Sequence, residues 1–271
     1  MHTIAIANHK GGVGKTTTAV NLAAGLARRG HRTLLVDVDA QAHATFWFVD
    51  DPEEVEADLQ DVVTGRVELP KAVRTTRIEH LDLLPATLAL AQLEVQLVSM
   101  TRREDRVARA LSPARETYDY VVLDLAPSLS LVSLAALVAA DSIIAPVSAT
   151  KLAVSGLGAF LGWTEDFRAE GVITAPLLGV LVTMTDTRTR VTREVQEALA
   201  GSQLPVYATT IPRRVAAEDQ VGERLVAGDA GTSGDLSSAY DAFTAEVIAQ
   251  TSGAQAGGGQ AGGTRDGEVR A

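Results

Sequence analysis

Lys10-Gly11-Gly12-Val13-Gly14-Lys15-Thr16-Thr17 follows directly on the apolar run Thr3-Ile4-Ala5-Ile6-Ala7-Asn8. A β-rich run, a glycine-dense turn and an alanine-rich helical stretch form the strand–loop–helix context that a phosphate-binding loop requires. The glycines let the backbone bend so that successive N–H groups point inward at an anion, where a bulkier residue would block φ > 0 or the close approach. The helix that opens near Lys15 adds its positive end to the same site. Lys15 is placed to reach the β- and γ-phosphates of a nucleotide, and the Thr16 hydroxyl to ligate Mg²⁺.

The pattern departs from the ordinary G-x-x-x-x-G-K-[ST] loop, because His9 stands where that pattern needs glycine. K-G-G-x-G-K-T-T, with Lys10 at its start, resembles the deviant Walker A box of the ParA/MinD superfamily of ATPases, and of its ParA/Soj-type chromosome and plasmid partition members in particular. The resemblance implies that ATP and Mg²⁺ are bound by Lys10, Gly11, Gly12, Val13, Gly14, Lys15, Thr16 and Thr17. It also implies that Lys10 crosses a homodimer interface to the partner's nucleotide.

From the loop outward, residues 14–29 are apolar on most sides (Ala19, Val20, Leu22, Ala23, Leu26, Ala27), which predicts a helix buried against a sheet and ended by Gly30. Thr33-Leu34-Leu35-Val36-Asp37-Val38 reads as a strand covered on both faces, typical of parallel sheets. The expected fold is therefore α/β: a doubly wound, mostly parallel sheet with helices on both faces. Ligands in such sheets sit beyond the carboxyl ends of strands, which is where Asp37, Asp39 and Gln41 stand. The segment resembles the D-x-D-P-Q-G-N box of ParA-like proteins. That likeness implies that Asp39 helps position the attacking water and that Asp37 belongs with Thr16 in the metal set. Ala40, Ala42 and His43 replace the usual proline, glycine and asparagine, so the switch segment is expected to move or hydrolyse differently.

The acid-rich stretch from Asp50 to Ala57 is read as the start of a surface helix ending at Gly65. His80–Leu84 is read as a strand, and Leu88–Met100 as a helix with Leu90, Leu93, Leu97 and Val98 on its apolar stripe. Arg102, Arg103 and Arg106 are read as a solvated basic face before a helix reaching about Glu116. Tyr118 to Asp124 has the Walker B form, an apolar strand ending in a carboxylate that holds Mg²⁺.

Ala139 to Val147 reads as a helix end followed by a strand, and Leu177 to Thr183 as a further buried strand. Beyond the latter, Met184-Thr185-Asp186-Thr187-Arg188 resembles the D-x-R-T region of partition ATPases, which implies non-specific DNA binding by Arg188, with Arg190 and Arg193 close by. Ile211-Pro212-Arg213-Arg214-Val215 resembles the I-P-R-N-V segment beside the adenine. The likeness places Met184, Pro212 and Arg213 at the nucleotide, and Arg214 compensates in part for a second DNA-binding arginine that Ala216 replaces. The last helix is expected over 236–250, followed from Thr251 by a disordered Gly/Ala-rich tail, so that residues 1–250 form a single domain.

Composition excludes several functions. The chain has no cysteine, which rules out disulfides, thiolate metal sites and the cluster of an iron-protein-type reductase. Its net charge of −10 opposes nucleic-acid binding globally, though local arginine clusters can override it. Aromatic residues at 4% argue against base stacking on single strands. No long uncharged apolar run and no leader pattern is present, so a cytoplasmic, nucleoid-associated protein is expected. The expected function is an ATPase that dimerises on ATP, binds double-stranded DNA non-specifically and is stimulated by a ParB-like protein. The alternative is a MinD-like positioning ATPase acting on protein or membrane, but the tail lacks the basic amphipathic helix that a membrane role needs. A small-molecule ligase on the same fold stays open, since fold does not fix function.

Overall fold

The computed structural model describes residues 1–51, 54–150, 153–213, 224–232 and 234–257. In chain order the elements are β1 (His2–Ile6), α1 (Lys15–Arg28), β2 (Thr33–Val38), α2 (His43–Phe46), α3 (Leu59–Thr64), α4 (Leu69–Ala72), β3 (Arg74–Thr75) and β4 (Leu81–Leu84). They continue with α5 (Ala91–Ser99), α6 (Arg106–Leu111), β5 (Tyr120–Leu125), α7 (Leu131–Val138), β6 (Ser142–Ser148), α8 (Ala153–Ala169), β7 (Leu177–Thr183), α9 (Arg190–Ala200) and α10 (Gly234–Gly257). The strands form one sheet in the order β3-β4-β2-β5-β1-β6-β7, parallel throughout except for the short edge strand β3. This is the doubly wound α/β architecture that the apolar strands predict.

β1 and β5 lie at the centre, flanked by β2 on one side and β6 on the other. The crossover from β1 through α1 to β2 and that from β5 through α7 to β6 therefore leave in opposite directions. Such a divergence opens a crevice over the carboxyl ends of the central strands. Register puts Ile6 beside Asp124 and Asp37 beside Asp124, so two strand-end aspartates share one level of the sheet. One face of the sheet packs against α1 and α10, with Ile4, Ile6, Leu22, Leu26, Leu35 and Phe243 fully buried. The other carries α3, α5, α7 and α9 over Ala5, Leu34, Val36 and Leu123.

Three sequence expectations change. The helix ending at Gly65 does not start in the acid-rich stretch: among the described residues it begins at Leu59. Asp58 caps it, accepting the Asp61 amide while Asp61 reaches back to the Asp58 amide, and Gly65 closes it at φ 77°. Val98 is not in the buried stripe of α5 but 63% exposed; Leu90, Leu93 and Leu97 fill the inward face, and one residue further along turns about 100° away. The last helix does not stop at Gln250. It runs to Gly257, and Thr251 is fully buried, its hydroxyl 2.9 Å from that of Tyr120. The rest of the tail lies outside the described residues, as do Arg214 and Ala216.

α1 and α10 approach closely at Gly25, where a Cβ would collide with Thr244 Oγ1, itself buried and donating to the Tyr240 carbonyl. Alanine would gain about 1 kcal/mol of helix propensity, but overpacking costs about 1–3 kcal/mol. Gly25→Ala is expected to lower the urea midpoint, and Gly25→Ala combined with Thr244→Ala to recover most of that loss.

Candidate functional site

The loop between β1 and α1 is shaped by its glycines. Gly12 and Gly14 take φ 70° and 82°, the left-handed region that side chains avoid, and Gly14 stands as the N-cap of α1 without any side-chain cap. The first amides of α1 are thus left for an anion, as at other helix starts that bind phosphate. The loop is tied at both ends. Asn8, buried, donates from its side chain to the Pro146 carbonyl at 2.8 Å and accepts the Lys10 amide at 3.1 Å. Thr183, at the end of β7, donates its hydroxyl to the Val13 carbonyl at 2.8 Å. Both ties escaped the motif reading, because they join residues more than a hundred positions apart.

Lys15 is only 6% exposed and its ammonium donates to the Lys10 carbonyl at 3.0 Å. Burial lowers its pKa, and the carboxylates of Asp124 and Asp39 partly oppose that shift. Lys10 itself lies against α8, where a Cβ at Gly156 would sit 3.6 Å from Lys10 Cδ.

The three aspartates anticipated at the strand ends stand together: Asp124 and Asp39 act on Lys15, and Asp37 lies beside Asp124 on the neighbouring strand. Asp124 is buried, and neither of its carboxylate oxygens has a hydrogen-bond partner among the described residues. Burial pushes its pKa well up, with the Asp37 charge adding to the effect, while the adjacent Thr16 hydroxyl and Lys15 pull the other way. An orphaned buried carboxylate beside a threonine hydroxyl is a donor set of hard oxygens, suited to Mg²⁺. Asp39 is largely buried, and its Oδ1 accepts the Gln41 amide at 2.9 Å. Asp37 differs from both. It is completely buried and its oxygens are engaged: Oδ1 accepts the Asp39 amide, while Oδ2 accepts the Thr45 amide and hydroxyl. Burial raises its pKa as well.

A second depression of about 870 Å³ opens beyond β7, lined by Thr185, Arg188, Thr209, Pro212, Arg213 and Asp235 among others. The Thr185 carbonyl accepts the Arg213 amide at 2.8 Å, so Pro212 and Arg213 are pinned to the exit of β7. Met184, just beyond β7, takes φ 54° and is exposed, but it does not line this depression. Arg188, Arg190 and Arg193 are gathered at the start of α9, all exposed. Arg188 forms a two-pronged pair with Asp186 at 3.0 Å and Arg190 pairs with Glu194 at 2.7 Å. The cluster is therefore less positive than its three arginines suggest, because Glu194 joins Asp186 in offsetting them. Exposed pairs of this kind exchange partners readily.

The AAA domain model matches residues 1–174. The chain is similar to the sporulation initiation inhibitor protein Soj of Bacillus subtilis, at 40% identity over 78% of this chain and 84% of Soj. It resembles the chromosome partitioning protein ParA of Caulobacter vibrioides at 33% identity over 92% of this chain and 95% of that one. Among solved structures, cobyrinic acid a,c-diamide synthase from Mycobacterium smegmatis, with bound ATP analogue and magnesium, superposes with a TM-score of 0.80. Its identity is 35%, over 93% of this chain and 97% of that chain. A nucleotide-shaped loop with an orphaned carboxylate beside it, carried on a chain so similar along its length to Soj and ParA, leads to one conclusion: the chain belongs to the ParA/Soj family of partition ATPases.

Proposed function

We propose that this chain is an ATP-driven, dimerising switch that binds double-stranded DNA non-specifically in its ATP state and is reset by hydrolysis under the stimulus of a ParB-like partner. The observation that carries the reading is the site itself: a glycine cradle opening α1, a buried Lys15, and beside them an unpartnered Asp124. The loop amides and Lys15 would bind the phosphates of ATP, and Pro212, Arg213 and Met184 would flank the base. Thr16 and Asp124 would hold Mg²⁺, with Asp37 behind them; the ion, when bound, neutralises charge on the β- and γ-phosphates. Asp39 would orient the attacking water, and Lys10 would leave α8 to reach the nucleotide of a second copy.

Arg188, Arg190 and Arg193 would meet DNA phosphates without reading bases, with Arg214 a further candidate. Breaking the Asp186 and Glu194 pairs in favour of phosphate gives the patch a salt-sensitive, sequence-independent grip. The relatives' roles in chromosome partitioning support this reading. Localisation on the nucleoid follows from it. No helix among the described residues is long and apolar enough to cross a membrane.

The electrostatics give a pH dependence. Asp124 has a folded pKa above its unfolded value, so the folded state binds more protons in the interval between them. Stability of the nucleotide-free protein therefore falls as pH rises through that interval. Asp124→Asn is expected to raise the melting temperature of the empty protein at neutral pH, an advantage that disappears below the ordinary carboxylate range, while abolishing ATP turnover. Lys15→Ala is expected to reduce turnover by roughly 10²-fold or more. DNA binding, followed with ATP, ADP and no nucleotide, is expected only with ATP and is expected to be lost in Lys10→Ala. Arg193→Ala should lower the slope of log affinity against log salt by about one. Binding equal in all nucleotide states, or none, overturns the DNA reading.

A further inference from the structure

The chain between Asp37 and Thr45 carries the altered switch segment, and one buried carboxylate closes it. Asp37 Oδ1 accepts the Asp39 amide at 3.1 Å, and Oδ2 accepts the Thr45 amide and the Thr45 hydroxyl, each at 2.8 Å. Having donated its proton, Thr45 Oγ1 accepts the Ala86 amide at 2.9 Å, so the same hydroxyl fastens the segment to the exit of β4. Asp37, Thr45 and Ala86 are all at most 1% exposed. Inside this closed loop the backbone turns through Ala42 at φ 56°, where the resembling segment has glycine. A residue with a Cβ holds that conformation only where its surroundings impose it. Asp39 stands at the start of the same turn, its carbonyl accepting the Ala42 amide at 2.8 Å.

Asp37 and Asp124 are adjacent in register but differ in surroundings. Asp124 accepts no hydrogen bond of normal geometry among the described residues and has the Thr16 hydroxyl and Lys15 near it, whereas Asp37 accepts three. We infer that Asp37 and Thr45 are positioning residues, a buried clamp that fixes the Asp39 turn, and that Asp37 is not itself a magnesium ligand, that task falling to Asp124 with Thr16. The inference rests on the ATPase reading for its catalytic consequence. Its structural part, the clamp, stands independently of turnover.

The test uses the full chain as Thr45→Val, Thr45→Ser and Asp37→Asn. Valine keeps the shape of threonine and removes both bonds of the hydroxyl; serine keeps them. In nucleotide-free protein, amide hydrogen exchange over residues 38–47 and at Ala86 is expected to quicken roughly tenfold in Thr45→Val, as two lost hydrogen bonds imply, and to stay near wild type in Thr45→Ser. In turnover assays with Mg²⁺ titrated, Thr45→Val and Asp37→Asn are expected to lose about tenfold or more in kcat, with the Mg²⁺ concentration for half-maximal rate unchanged. A ligand role predicts the reverse. If Asp37→Asn raises the half-saturating Mg²⁺ concentration and excess Mg²⁺ restores the rate, Asp37 binds the metal and the inference fails. It fails equally if Thr45→Val exchanges like wild type. A wild type that turns over no ATP would defeat the ATPase reading instead, while the exchange measurement would still decide the clamp.

Discussion

Negative charge placed in the interior is the constraint from which the rest of this site follows. Asp37 and Asp124 face one another across β2 and β5 at the same level of the sheet, both fully or almost fully out of water. Two buried carboxylates at that separation disfavour each other's ionisation, and burial alone already raises both. The structure resolves the conflict by treating them differently. Asp37 is satisfied internally by two amides and a hydroxyl, while among the described residues Asp124 has only the Thr16 hydroxyl and Lys15 to offset its charge. An uncompensated acid at the base of a phosphate loop lowers stability in the empty state and favours a state with metal and anion bound.

That arrangement depends on distant parts of the chain. The loop holding the anion site is anchored by Asn8 to β6 and by Thr183 to β7, so the outer strands set the position of Val13 and Lys10. The switch segment is fastened to β4 through Thr45 and Ala86. α5, which follows β4, lends Glu94 to the amides of Leu131 and Val132 at the start of α7, directly after the loop that leaves Asp124's strand. The segment leaving Asp37 is thereby linked to the exit of β4, and the start of α7 beyond Asp124's strand to α5.

Much of this was legible in local sequence. The glycine spacing of residues 11–14, the apolar strand ending in Asp124 and the strand ending in Asp37 each act through their own backbone and nearest neighbours, so periodicity and motif find them. Reading failed where a specific side-chain pairing decides. The acidic run after Asp50 resembles a helix start, but the capping geometry available to Asp58 and Asp61 places the start later. Thr251 opens a stretch whose composition reads as disordered, yet the Tyr120 hydroxyl on β5 gives it a buried partner. Arg188, Arg190 and Arg193 read as three arginines against Asp186, and the structure adds Glu194, paired with Arg190, to the acids that offset them.

By itself, then, the order of residues determined the sheet, its parallel sense and the chemical type of the site, because glycine freedom, strand apolarity and strand-end carboxylates are local properties. Only the tertiary structure decided which aspartate is free and which is spent, since Asp37 and Asp124 end similar strands and differ solely in what folds against them. Asp39 and Thr45, two and eight residues beyond Asp37, supply that difference by folding back onto it, and Ala86, forty-nine residues on, holds Thr45 in place. Hydrogen-bond satisfaction in a buried site belongs to the assembled fold, and no single segment carries it.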